Sequence, residues 1–165
     1  MPENDSINEL VGVGGASPAP TFYLRCHMKG REIFMKLTRI SRSQAVPDSS
    51  RRGYFEGEVN IQPVVGLQDS SEVELLAVYF NPGARTIAHT HENDQILQVI
   101  EGEGIVATET EKYRVAAGDV ITVPAGAWHW HGATRNSAMC HISIKRPGGS
   151  NWKVDEKNWA SGYDE

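Results

Sequence analysis

Cysteine is scarce. The two present, Cys26 and Cys140, lie far apart along 165 residues, so no disulfide framework staples this chain. Charge of one sign is not concentrated either. Sixteen basic residues against 21 acidic ones leave −5 with no run of like charge, which gives a phosphate backbone or an anionic membrane nothing to hold. Long hydrophobic runs are missing: the longest, 73–80, is interrupted by Glu74 and falls well short of the ~18 residues a membrane span needs. The opening MPENDSINEL has neither the basic start nor the apolar stretch of a secretory signal. The expectation is a cytoplasmic protein in a reducing compartment, with neither nucleic acid nor membrane as partner.

What is present suits one modest core. Thirty-nine per cent of the residues are hydrophobic, and a chain of this size buries roughly 68–70% of its unfolded surface. Sixteen glycines and eight prolines favour a turn-rich, strand-based fold over a helical bundle. Residues 1–34 stand apart, with the linker-like Gly12-Val13-Gly14-Gly15-Ala16-Ser17-Pro18-Ala19-Pro20 among them. They read as an N-terminal extension without a fold of its own, or as an arm packed on a partner chain. Residues 35–165 read as a single domain.

From about residue 59 short strands alternate with turn residues. Strands are expected over 73–80, 86–91, 95–101, 105–109, 113–115, 120–123, 128–133 and 139–145, punctuated by Asn81-Pro82-Gly83, Gly102-Glu103-Gly104, Pro124-Ala125-Gly126 and similar turns. This spacing, with no helical pattern between, predicts an all-β, antiparallel β-sandwich or barrel. A short C-terminal helix is expected over 154–162, with Trp152 and Trp159 docking on the body.

Five of the six histidines fall between positions 89 and 141. His89 and His91, two apart on an expected strand, leave the same face about 7 Å apart along the chain. Gln95 follows a short turn that can fold it back toward them, and His129 sits on a later strand after tight-turn residues. Three imidazoles and one side-chain carbonyl converging inside a barrel suit a divalent first-row metal. The spacing is compound: Gly83-x5-His89-x-His91-x3-Gln95-x6-Gly102, then Gly118-x5-Pro124-x-Gly126-x2-His129. The first half alone would arise from this composition well under roughly once in 1,000 placements.

These two runs resemble the paired motifs of the cupin superfamily, over about residues 73–145. The resemblance implies an antiparallel jelly roll with the site at the barrel mouth, and His89, His91, Gln95 and His129 as metal ligands. Most cupin metal sites have Glu where this chain has Gln95. A neutral ligand set leaves a divalent ion its full charge, which favours Lewis-acid chemistry and anion binding over high-valent oxygen chemistry. The segment Asn81-Pro82-Gly83-Ala84-Arg85-Thr86, the Trp128-His129-Trp130-His131-Gly132-Ala133 run and Met139-Cys140-His141 further resemble small bacterial cupins. That group includes the manganese-dependent hydroxynitrile lyases and the carboxymuconolactone-decarboxylase-associated cupins. The resemblance implies that His141 faces the metal and moves a proton. By strand period Ser143 and Lys145 point the same way, Lys145 as a desolvated base or as a strand end reaching water. In the lyase-type relatives a Gln takes the Lys145 place and smaller residues that of Leu76.

Leu76, Val78 and His131 complete the expected substrate pocket, His131 being equally readable as a packed residue. Arg85 is a carboxylate clamp or a structural ion pair, and Cys140 a buried thiol facing away from His141. The expected function is a metal-dependent, lyase-like enzyme acting on a small hydroxy, keto or carboxylate substrate. The alternatives are a non-haem iron dioxygenase and a non-catalytic small-molecule-binding cupin. One divalent transition metal per chain is expected, manganese first, with iron, nickel, zinc and copper also suited to such ligands. Exposed sheet edges and the family resemblance point to a homodimer or homotetramer.

Overall fold

The structure, a computed structural model, describes residues 10–12, 21–47 and 53–155. The chain divides into two compact units, Met1–Gln44 and Ala45–Glu165. In the first, β1 (Leu10–Gly12), β2 (Thr21–Met28) and β3 (Arg31–Thr38) form an antiparallel sheet in that order. The turn between β2 and β3 is Lys29-Gly30, with φ of 50° and 77°. Two positive values in succession match the twist of a tight hairpin, and glycine takes one of them without strain. A 3-10 turn, Arg42–Gln44, follows. The boundary expected between residues 34 and 35 runs through β3, and the stretch read as an extension without a fold of its own or as an arm contains β1 and β2. Leu24 lies opposite Met35 in register, an apolar pair that suits the pairing. Residues 13–20, the linker-like stretch, lie outside the described residues.

The second unit is a nearly closed antiparallel barrel. Its strands are β4 (Phe55–Glu56), β5 (Val59–Val65), β6 (Glu74–Phe80), β7 (Arg85–Thr86), β8 (Thr90–His91), β9 (Gln95–Ala107), β10 (Lys112–Ala116), β11 (Val120–Val123), β12 (Trp130–Ala133), β13 (Met139–Lys145) and β14 (Ser150–Asn151). They run β4-β7-β12-β9-β13-β6-β5, with β10 and β11 also on β9, and β14 beside β8.

The long strand β9 joins both layers. Gln95–Ala107 is continuous where two strands, 95–101 and 105–109, were expected. Its first half pairs with β11 and β13, its second with β10 and β12. The bend sits at Gly102, φ 70°, where a Cβ would collide with the Ala138 carbonyl. Glycine there lets one strand turn from one sheet into the other. The expected strand 86–91 is instead split into β7 and β8.

Inside the barrel, Leu76, Val78 and Phe80 of β6 meet Leu97 and Val99 of β9. On the other face Ala77 and Tyr79 of β6 and Cys140 and Ile142 of β13 form a second apolar layer. Buried side chains of this size stabilise the fold by about 1.5–3 kcal/mol each.

Of the helix expected over 154–162, only the first two residues are described, and they are not helical. Val154 and Asp155 are irregular, and 156–162, with Trp159, lie outside the described residues. The chain before them is held extended: β14 pairs with β8, Trp152 stacks on Tyr54 at 4.5 Å, and the Trp128 indole donates to the Asp155 carbonyl at 3.0 Å. Among the described residues no helix is long and apolar enough to cross a membrane.

Candidate metal centre

Backbone pairing brings the histidines together before any side chain acts. His89 and His129 form an isolated bridge, exchanging both N–H···O bonds at 3.0 and 3.1 Å. His91 lies opposite Ser150, and its carbonyl accepts from Gly126 N at 2.8 Å. Asp94 accepts from Ala125 N at 2.8 Å, tying the turn before Gln95 to the loop before His129. The result is a buried cluster in which the nearest nitrogens of His89, His91 and His129 lie within 4.8 Å of one another, a group able to hold a metal ion.

Each ring is held from behind. His89 Nδ1 donates to the Ile87 carbonyl and His129 Nδ1 to the Ala127 carbonyl, both at 2.9 Å. His91 Nδ1 meets Ser150 Oγ at 2.7 Å. A carbonyl can only accept, so in the neutral rings of His89 and His129 the lone pair sits on Nε2, the form a metal requires. Gln95 Oε1 lies 3.2 Å from His129 Nε2, while its Nε2 donates to Ser143 Oγ at 2.9 Å. His91 Nε2 is buried with no hydrogen-bond partner. Converging acceptors with nothing to accept are what a cation satisfies, and this donor set fits one.

Electrostatics agree. Burial holds His91 down to about 4 and His141 to about 3, with the charge of His129 adding to the effect on His91. Burial also pushes His89 and His131 well below the ordinary 6.5, and lowers His129. All five imidazoles are therefore neutral at pH 7, ready to donate lone pairs rather than to repel a cation.

A cavity of about 250 Å³ opens beside the cluster. Leu76, Val78, His131, His141, Ser143 and Lys145 all line it, as their strand parity predicts. His141 Nε2 lies 3.1 Å from His131 Nδ1, and Lys145 Nζ is 3.0 Å from Glu74 Oε1. His129, 1% exposed, backs the cluster. Arg85 does not reach the cavity. It pairs with Glu56 at 2.8 Å and lies over Trp130, the structural alternative. Cys140 is fully buried in the outer apolar layer.

Sequence reasoning missed several wall residues. Glu74 shares the parity of Leu76 and was there to be found, but Tyr54, Thr86 and Ser150 carry no local signal. Trp152, expected only to dock on the body, stacks on His89 at 4.1 Å and on Tyr54, making one wall of the cavity.

Comparison with known proteins agrees with this fold. The cupin domain family profile matches residues 76–145. The chain is 39% identical over 93 residues to an (R)-mandelonitrile lyase of Granulicella tundricola, covering 56% of this chain and 71% of that protein. It is 30% identical over 79 residues to a gentisate 1,2-dioxygenase of a Ralstonia species, 47% of this chain but only 22% of that one. Among solved structures, a cupin-like protein of Thermotoga maritima superposes with a TM-score of 0.62 at 29% identity, over 68% of this chain and 90% of the other.

Proposed function

This chain belongs to the cupin superfamily, and from that premise we propose a metal-dependent, lyase-like enzyme acting on a small hydroxy, keto or carboxylate substrate. One observation carries the reading: ring nitrogens of three buried imidazoles and Gln95 Oε1 converge beside a cavity that also holds His141. His89, His91, Gln95 and His129 are the ligands in this reading. When bound, a divalent cation supplies Lewis-acid polarisation of a substrate oxygen, undiminished by any ligand charge.

The chain's own residues do the rest. His141, neutral at physiological pH, takes a proton on a ring nitrogen and returns it, with His131 hydrogen-bonded to its Nε2 and holding the ring in place. Lys145 offers an ammonium to a substrate carboxylate or to a departing anion. Leu76 and Val78 make the adjoining wall apolar, excluding water from the reacting groups. A volume of about 250 Å³ limits the substrate to a small molecule.

The likeness to an (R)-mandelonitrile lyase makes hydroxynitriles the first compounds to assay. Manganese is the metal we rank first, on the resemblance to manganese-dependent lyases. A cytoplasmic homodimer or homotetramer is the proposed assembly. The partial likeness to gentisate 1,2-dioxygenase supports a second reading, a non-haem iron dioxygenase.

Metal content measured by mass spectrometry, on protein purified without an affinity metal, separates these. Near-stoichiometric manganese, nickel or zinc, lost in Gln95→Ala and His129→Ala, supports the lyase reading. Iron with substrate-dependent oxygen uptake moves the dioxygenase forward. Protein that holds no metal and regains none on incubation leaves a small-molecule-binding cupin. Light scattering at the mass of a single chain refutes the oligomer.

A further inference from the structure

We propose that the Gln95 amide has two settings, one ligating and one closed on itself, and that the Ser143 hydroxyl sustains the ligating one by accepting from the amide N–H2. The inference rests on the metal reading of His89, His91, Gln95 and His129. Ser143 sits diagonally across the β9–β13 pair, one inward position from Lys145, the direct partner of Gln95. Gln95 Nε2 donates to its Oγ at 2.9 Å, and both side chains are buried.

The opposite end of the amide is the unusual one. Gln95 Oε1 lies 3.2 Å from His129 Nε2, yet His129 Nδ1 carries the ring proton because it faces the Ala127 carbonyl. Two acceptors therefore confront each other, a contact that stabilises nothing until a cation lies beside them. Turning the amide by half a revolution about its terminal bond exchanges oxygen and nitrogen. The amide N–H2 then donates to His129 Nε2, and Oε1 accepts from the Ser143 hydroxyl. The closed setting withdraws two donor atoms from the metal at once, the amide oxygen and the His129 lone pair.

Ser143 serves both settings because a hydroxyl both donates and accepts. Alanine at this position treats them unequally. In the ligating setting it strands a buried N–H2, whereas in the closed setting it strands only a carbonyl, and buried unpaired donors are the rarer and costlier of the two. Ser143→Ala therefore favours the closed amide and weakens metal binding. Gln95→Glu has two oxygens and no donor, so it has no closed setting for Ser143 to oppose.

The test titrates Mn²⁺ against a chelating dye with metal-stripped wild type, Ser143→Ala, Ser143→Thr, Gln95→Glu and the double variant Gln95→Glu/Ser143→Ala. The expected result is an affinity about tenfold lower in Ser143→Ala, restored in Ser143→Thr, and changed less than about twofold when Ser143→Ala is added to Gln95→Glu. In the metal-free Ser143→Ala protein the ¹⁵N resonance of His129 Nε2 should move to that of a hydrogen-bond acceptor. Equal affinities of wild type and Ser143→Ala overturn this inference alone, as does the same loss in the Gln95→Glu background. Wild type that takes up no Mn²⁺ overturns the metal reading and this inference with it.

Discussion

His141 Nε2 and His131 Nδ1 lie 3.1 Å apart with both rings buried, so one nitrogen of the pair carries the shared proton and the other accepts it. The second nitrogen of His141, Nδ1, has no partner at all. Burial lowers the His141 value from 6.5 to about 3 in the fold. Between those limits the unfolded chain takes a proton that the folded one refuses, so stability is complete above pH 6.5 and declines as pH falls toward 3. At pH 5 this one group costs about 2 kcal/mol relative to neutral pH, and the other four buried imidazoles act in the same direction. Urea denaturation of metal-free protein at pH 7.5 and pH 5 checks this. A smaller gap in His141→Gln is expected, and equal midpoints at the two pH values would refute it.

The Glu74–Lys145 pair is 3.0 Å long with side chains only 25% and 11% exposed, so it is screened weakly by water. Glu74→Gln leaves an ammonium in the cavity wall without its counter-charge and costs roughly 1–3 kcal/mol of stability. The same change frees Lys145 for another anion. Binding of a small 2-oxo acid, followed by calorimetry, should tighten in Glu74→Gln and weaken in Lys145→Gln. Opposite signs in the two variants are the expected signature, and parallel changes would count against an anion site there.

The segment 150–152 reaches two of the three clustered histidines. Ser150 Oγ holds His91 Nδ1 at 2.7 Å, and Trp152 stacks on His89 at 4.1 Å. Ser150→Ala releases the His91 ring and should lower metal affinity about tenfold, with a smaller effect on stability. Trp152→Ala removes a cavity wall and should destabilise the fold by about 3 kcal/mol while widening the range of substrates accepted. A chelator competition and a thermal melt on each variant separate the two effects.

Arg85 gives the contrasting case. Its guanidinium pairs with Glu56 at 2.8 Å and covers the Trp130 ring at 5.3 Å, away from the cavity. Arg85→Ala should lower stability by about 2 kcal/mol through lost packing and pairing. Glu56→Gln, at a half-exposed partner, should cost under about 1 kcal/mol. Metal content of both variants should match wild type. A drop in metal content for Arg85→Ala would show that it supports the centre after all.

The centre was legible because its residues are polar where a barrel strand should be apolar. His89, His91, Gln95 and His129 break the alternation at fixed distances from glycines; His141 is implied by the family resemblance, and Ser143 and Lys145 follow from it by strand parity. The fold of residues 73–145 was legible for the same reason. Less visible were features that depend on distant pairing. Whether Gly102 ends a strand or bends one depends on the Ala138 carbonyl opposite it. Ser150 and Asn151 pair as a strand because His91 and Thr90 lie beside them, a contact nothing in their own neighbourhood announces. β3 was hidden by its exposure, since a strand with no buried position lacks the inward–outward alternation that reveals one.

The bridge between His89 and His129 has a consequence for the life of the protein in a cell. The residues that meet there are 40 positions apart in the sequence, so the cluster exists only once the chain has folded. A cation that binds the cluster and not the loose chain pulls the population toward the fold, by about 2.7 kcal/mol when free metal stands a hundredfold above its dissociation constant. Scarcity of that metal would then shorten the half-life of the chain under proteolysis as well as idle its chemistry, and abundance of the protein would follow the ion's supply.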